Sequence, residues 1–240
     1  MARDRAEPLT RDEIVATAIR TARDGALAKL SMRGLAQELN VSPMALYAHV
    51  ADKDEILDEI LDDALAAEAR PAPPSRDWRA WMISFAEQLH RVLVDRPELL
   101  DRYCRRPVGV PAALDRMETA LGVLAAAGFE NDEAVEVFAD VQTVTLGFTS
   151  LEVARRSAAG SADAGRARRA ATIPDEHSPQ FWPTFFATLP ADRYPNLVRS
   201  RPDLTAFTSA ARFHDVLRAL LDGIRPRRRR RSATQPQGEP

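Results

Sequence analysis

Three features of the chain predict an all-α fold. Apolar residues recur at the spacing of a helix in Trp78, Trp81, Met82, Phe85, Leu89, Val92 and Leu93, and no run of period two competes. Helix starts and stops punctuate the sequence, with Ser42-Pro43, Pro97, Pro111 and Gly128 in positions that open or close a helix. The stretch from Leu30 to Lys53, LSMRGLAQELNVSPMALYAHVADK, reads as two short helices joined by a tight turn. At 240 residues the chain is long enough for a small unit of about 50 residues and one sizeable core.

The first short helix starts at Ser31, whose hydroxyl accepts from amides of the first turn, and runs to Leu39, with Leu35 and Leu39 on one face. Asn40 follows where the chain must reverse, and asparagine tolerates a left-handed backbone. Val41 is placed to plug the angle between the helices. Ser42 caps the second helix and Pro43 supplies a fixed φ at its first position; this helix is expected to reach Val50. Leu46 and Val50 face inward, which leaves Met44, Ala45, Tyr47, Ala48 and His49 on outer and flanking faces. Asp52 and Glu55 form a capping box for the next helix.

Such a pair of helices fits a DNA major groove, with the second helix entering it and the first crossing the backbone. Met44 and Ala45 are then positioned for thymine methyls, Tyr47, His49 and Lys53 for phosphates, and Arg33 for a guanine edge or a phosphate. The same pattern also suits a helical hairpin packed inside a larger core, with Tyr47 and His49 half buried.

Beyond it, Pro71, Pro73 and Pro74 mark a boundary near residue 70. A helix is expected over Asp77 to Val94, then a short one capped by Asp95 with Pro97 first and ending before Pro107, then one from Pro111 to Gly128. The longest pattern, Asn131 to Arg156, is apolar on more than one face, through Val135, Phe138, Val141, Val144, Leu146, Phe148 and Leu151. Ser157 to Arg169 lacks an apolar pattern and is expected to be a mobile loop. In HSPQFWPTFFATLPADRY, the aromatic cluster Phe181, Trp182, Phe185 and Phe186 suits either a cap on the core or one wall of a ligand cavity. The last strong helix spans about Thr205 to Gly223, and its wide apolar surface, like that of 131–156, fits a four-helix bundle across a two-fold axis or an intramolecular core.

Composition narrows the function. The single cysteine, Cys104, excludes an internal disulfide and a multi-cysteine metal site, and fits a reducing interior. No segment approaches the roughly 20 apolar residues of a membrane span, and no apolar run follows Met1, so a cytoplasmic protein without a membrane partner is expected. The net charge of −2 hides an asymmetry: Arg225 to Arg231 holds six arginines, and subtracting them leaves −8 for the remainder. That run reads as a solvated, disordered end (225–240) or as a source of salt-sensitive DNA affinity. There is no GxSxG elbow, no Gly-rich phosphate loop and no HExxH pair, and His49, His90, His177 and His214 are scattered. An enzyme is therefore not expected, nor any cofactor or metal.

The segment LSMRGLAQELNVSPMALYAHVADKDEILD, within Thr10 to about Leu65, resembles the N-terminal domain of the TetR family of bacterial transcriptional repressors. The resemblance implies a three-helix DNA-binding domain (Thr10 to Gly25, Ser31 to Leu39, Pro43 to Val50) and a fourth helix from Asp52 to about Glu68. By position it places DNA contacts at Ser31, Met32, Arg33, Pro43, Met44, Ala45, Tyr47, His49 and Lys53. Pro43, Met44 and Ala45 stand where many relatives carry hydrogen-bonding residues, and Asn40 replaces the usual glycine of the turn. The stretch AAAGFENDEAVEVFADVQTVTLGF is similar to the ligand-binding, dimerising C-terminal domain of the tetracycline-repressor branch. The implied organisation is 1–52 for DNA, 53–70 as connecting helix, 71–224 for effector and dimerisation, and a 225–240 tail. The implied partners are a palindromic double-stranded operator, a second copy of the chain, and a small effector that shifts the dimer away from its DNA-binding spacing. Effector candidates are Trp81, Met82, Phe85, Met117, Leu121, Phe138 and Phe148, with His90 and Gln142 as polar groups. The histidine-bearing stretch of the tetracycline-magnesium site is replaced here by LDRYCRRPVGV, which makes an apolar or aromatic effector the expectation.

Overall fold

The computed structural model describes residues 8–23, 27–68, 77–166, 181–201, 207 and 209–225. Every regular element among them is helical: α1 (Arg11–Arg23), a 3-10 turn (Leu27–Lys29), α2 (Met32–Glu38), α3 (Pro43–Tyr47), α4 (Lys53–Ala67), α5 (Trp78–Asp95), α6 (Pro97–Arg105), α7 (Pro111–Ala126), α8 (Asn131–Arg166), α9 (Phe181–Ala187), α10 (Pro195–Ser200) and α11 (Ala210–Gly223). The all-α expectation holds. None of these helices is long and apolar enough to cross a membrane.

Local chemistry explains the compact start. Ser31 Oγ accepts from the Gly34 amide at 3.1 Å and Ser42 Oγ from the Ala45 amide at 3.2 Å, so both short helices carry a side-chain N-cap. Asn40 has φ +59°, with its amide donating to Gln37 O at 3.1 Å and the Val41 amide to Ala36 O at 2.9 Å. That is the two-bond closure in which a left-handed residue ends a helix. Gly128 closes α7 in the same way at φ +95° and delivers Phe129 edge-on to Trp78, with ring centroids 5.0 Å apart. At α4, Asp52 Oδ1 accepts from the Glu55 amide at 2.9 Å, while the Glu55 carboxylate accepts from Ala51 N at 2.7 Å, one residue earlier than a standard capping box.

Two apolar clusters are stacked along α5. The first joins α1 to α4 with the C-terminal half of α5, α6 and the start of α7, through Ile14, Leu35, Leu46, Val50, Ile60, Leu93, Leu99 and Tyr103. The second joins the N-terminal half of α5 to α7, α8 and α11, through Trp81, Phe85, Leu124, Phe138 and Leu217. The first core is therefore continuous between the N-terminal helices and the base of the larger helical body. The prolines expected to mark a boundary, and Gly25, lie outside the described residues.

Several expectations are corrected. Asp95 closes α5 rather than capping the next helix; Arg96 occupies the cap of α6 without a side-chain bond, and Pro97 begins it. α3 stops at Tyr47, and a turn follows in which the His49 and Val50 amides both donate to Leu46 O, which keeps Val50 buried. Residues 157–166 continue α8 instead of forming a loop. α11 starts at Ala210, where Ser209 Oγ accepts from the Arg212 amide at 3.2 Å, and Phe207 ahead of it is exposed. Of the arginine-rich run only Arg225 is described.

Because Asn40 holds a left-handed backbone, Asn40→Gly is expected to leave stability close to wild type. Asn40→Val, with a branched Cβ against the preceding carbonyl, should lose about 1–2 kcal/mol in urea denaturation.

Candidate nucleic-acid interface and effector site

On α2, α3 and the first turn of α4, the candidate DNA residues divide into readers and supports. Ser31, Arg33, Pro43, His49 and Lys53 are exposed, Met44 is 76% exposed and Tyr47 48% exposed. Leu46 and Val50 pin the underside to the first core. Met32 and Ala45 are half buried, and Met32 packs against that core, so it supports the helix more than it faces solvent. The alternative of a hairpin enclosed in a core, with Tyr47 and His49 covered, does not match this exposure.

α4 links that surface to the larger body. On one edge Arg11 donates to Glu55 at 2.8 Å and Glu59 at 2.5 Å, and Arg23 to Asp63 at 2.8 Å. On the other, Arg102 of α6 pairs with Asp58 and with Asp54 at 2.7 Å, and Asp62 Oδ1 accepts from the Ala112 amide of α7 at 2.6 Å. The hydrogen bonds to Glu59 and Glu55 raise the Arg11 guanidinium above its ordinary range, and the bond to Asp58 does so for Arg102. The Ala51 amide, then Arg11, hold the Glu55 carboxyl below its ordinary value.

Most candidate effector residues meet in the second core. Trp81, Met82, Phe85 and Phe138 are buried there, with Met117, Leu121 and Phe148 packed against them. Trp81 and Phe85 stack at 5.2 Å between centroids, and Phe85 lies 6.2 Å from Phe138. Gln142, buried, donates from Nε2 to the Tyr103 hydroxyl at 2.6 Å. Burial raises the Tyr103 phenol, against the lowering effect of Gln142. His90 sits apart from Gln142, among Thr149 at 2.8 Å, Glu152 at 3.1 Å and the Phe213 ring at 4.7 Å, with Phe148 next to Phe213 at 5.3 Å. On α9, Phe185 meets Trp182 and Phe186 edge to face and Trp182 and Phe186 are tilted against each other, and of these only Phe186 is buried.

The sequence reading missed two polar residues of this region. Arg116, 5% exposed, donates to Phe85 O at 3.2 Å and lies 4.5 Å from the Phe85 ring centroid. Its signal was present: Arg116 shares a helical face with Ala112, Ala113, Ala120, Val123 and Leu124, all buried, so an apolar residue is what the period demands there. Tyr103 had no such mark, since a tyrosine on an apolar face looks like ordinary core. Among the described residues no cluster of His, Cys, Asp or Glu is arranged to hold a metal ion.

A capped two-helix reading unit on a larger helical body defines a helix-turn-helix protein. The model for bacterial regulatory proteins of the tetR family matches residues 14–60, and that for the tetracyclin repressor-like C-terminal domain matches residues 70–228. An HTH-type transcriptional regulator of Saccharopolyspora erythraea is 36% identical over 144 residues, 60% of this chain, and the match spans 61% of that protein's length. The HTH-type transcriptional repressor DrrR1 of Streptomyces coeruleorubidus is 30% identical over 221 residues, covering 90% of this chain and 77% of DrrR1. The crystal structure of the Streptomyces coelicolor TetR family protein ActR in complex with actinorhodin is similar with a TM-score of 0.70 and 28% identity, covering 90% of this chain and 97% of that one. The chain belongs to the TetR family.

Burial pushes the His90 imidazole below its ordinary 6.5, against the opposing charge and hydrogen bond of Glu152; Arg156 adds to the lowering and Asp95 opposes it. The unfolded chain then binds more protons than the folded one below pH 6.5, so the stability from a neutral His90 is complete above that value and is lost as pH falls toward the folded-state value. His90→Gln should flatten the melting temperature between about pH 7 and 5. An equally steep decline in the variant would assign the acid sensitivity to other groups.

Proposed function

We propose that this TetR-family chain is a sequence-specific transcriptional repressor that binds a palindromic operator as a homodimer and leaves it when a small effector enters the larger helical body. The observation that carries the reading is the exposed surface of Arg33, Met44, Tyr47 and His49 on and just after a helix pair whose caps, turn and buried Leu46 hold it rigid, continued by Lys53 at the start of α4. Apolar Met44 at the start of α3 suits a thymine methyl, and the cations and hydroxyl around it suit phosphates. Ser31 and Pro43 place backbone at the groove edge, and Ala45 and Met32 complete the contact surface from half-buried positions.

The division of labour is 1–52 for DNA, 53–70 for connection and 71–224 for effector and dimer. It follows function, since the apolar core runs across the first two and into the third. Dimerisation through α8 and α11 is supported by Leu151 on α8, 58% exposed, and by the half-buried Val216 and Leu220, one turn apart on α11. A two-fold dimer doubles the base pairs read, at half-sites one helical turn or a multiple apart. The effector reading draws on ActR, solved with actinorhodin, and on the aromatic wall of Trp81, Phe85 and Phe138. The relatives are named transcriptional regulators, which favours this reading over an enzyme, and such a repressor works in the cytoplasm.

The test is fluorescence anisotropy on DNA from just upstream of the gene, with excess competitor, where specific binding exceeds nonspecific by about 10³ or more. Lys53→Ala is expected to weaken binding to all sequences and reduce the salt slope by about 1, whereas Met44→Ala should change base preference by about 1–3 kcal/mol at one position. Unchanged affinity and preference in both variants would remove α3 as the reading helix.

A further inference from the structure

Of the 33 lysines and arginines in the chain only Lys29 and Lys53 are lysine. Both belong to the N-terminal helices and both are exposed. Lys29 ends the 3-10 turn two residues ahead of Ser31, on a segment pinned by the buried Leu27 and Leu30, and Lys53 opens α4.

Ion pairing separates the cations of this unit along the same line. Among the described residues 8–68, Arg11 is held by Glu55 and Glu59, Arg20 by Glu38 and Arg23 by Asp63. The side chains of Lys29, Arg33 and Lys53 have no hydrogen bond or ion pair among the described residues. The cations left to meet a phosphate therefore include both lysines of the chain. Their chemistry also sets them apart. A guanidinium stays protonated in a protein, whereas a lysine gives up its proton and the free amine attacks acyl carbon. Acylation of that amine removes its charge. Every lysine amine of the molecule thus lies in the unit that reads DNA, and none lies on the larger helical body.

We propose that Lys29 and Lys53 are acylation sites through which an acyl phosphate weakens operator binding. The unprotonated Nζ attacks the carbonyl carbon of the donor and an amide N–C bond forms. The C–O bond to the phosphoryl group breaks, inorganic phosphate leaves, and the surplus amine proton passes to water, with nothing oxidised or reduced. The proposal rests on the repressor reading above and adds to it a chemical input that acts on the DNA face without entering the effector region. It also makes Lys29 a phosphate contact. Each phosphate contact that is lost lowers the slope of log affinity against log salt by about 0.9.

The experiment incubates the full-length protein with acetyl phosphate, maps the acetylated residues by peptide mass spectrometry, and measures operator affinity by anisotropy across a salt series. Acetylation is expected at Lys29 and Lys53, with affinity at physiological salt reduced at least about tenfold and a shallower salt slope. The melting temperature should stay that of the untreated protein, because neither ammonium has a partner within the fold. Prior binding of operator should protect both lysines. The double variant Lys29→Arg, Lys53→Arg keeps the charges and lacks the amines, and the reagent should not change its affinity, each protein being compared with its own untreated sample. Failure of the lysines to react, unchanged affinity after both are acetylated, a loss that follows from a lowered melting temperature, or an equal loss in the double variant would each overturn the proposal. An untreated protein without specific DNA affinity removes the repressor reading and the acylation effect together; one that binds operator equally well before and after acetylation removes the acylation effect alone.

Discussion

The rest of the structure depends on α4 being held on both edges at once. Its carboxylates form two ladders at a spacing of four: Asp54, Asp58 and Asp62 face α6 and α7, and Glu55, Glu59 and Asp63 face α1. The stripe of Ile56, Ile60, Leu61 and Leu65 is buried in the first core. Magnitudes separate the roles. Full burial of each of those aliphatic side chains contributes about 1.5–3 kcal/mol, whereas an exposed ion pair contributes about 0–1. Packing therefore holds α4 in place, and the charges decide its rotation and its position along its neighbours. Arg11 and Arg102 are the sharpest of these constraints, since each guanidinium engages two carboxylates a turn apart.

That arrangement makes α3 a passenger. α3 is five residues long, far below the length at which a helix persists alone, and it exists because Ser42 caps it, Pro43 presets its first turn and Leu46 anchors it. Its position relative to the larger body is set through the shared core and through α1, which the α4 carboxylates grip by Arg11 and Arg23. Arg102 thus ties α6 to α4, and Arg11 and Arg23 tie α4 to α1.

The same physics explains what was legible in the sequence. Ser31, Asn40, Ser42 and Pro43 act through local backbone chemistry, so their roles could be read directly and the structure repeats them residue for residue. Apolar periodicity likewise located α5 and α8, because burial imposes it, and Pro111 and Gly128 bounded α7. Ser157 to Arg166 failed the same test, because the helix continues there through SAAGSADAGR, which carries no apolar stripe to find. Asp95 failed for another reason, since a good cap residue can equally end the helix before it. The clamps on α4 link residues more than 40 positions apart, as in Arg11 with Glu55 and Arg102 with Asp58, and charges on a helix surface carry no mark of which distant partner they meet.

Buried polar side chains divide unevenly between the two halves of the molecule. Among the described residues of α1 to α4 only Thr17 is one, whereas Gln88, Arg116, Glu133, Gln142, Thr145 and Thr149 lie on α5, α7 and α8. Thr145 and Thr149 donate to carbonyls of their own helix at 2.7 Å and need nothing further. Arg116 and Gln142 are different, because each occupies a place where the helical period calls for an apolar residue and each reaches toward another helix. A core selected for stability alone would replace both with hydrophobic side chains of similar volume. Sequences that specify a fold agree with themselves at every level, and the exceptions gather where the chain does something other than fold. Here the exceptions gather on α7 and α8, and Tyr103, whose ring belongs to the first core and whose hydroxyl meets Gln142, joins them to the helix that grips α4.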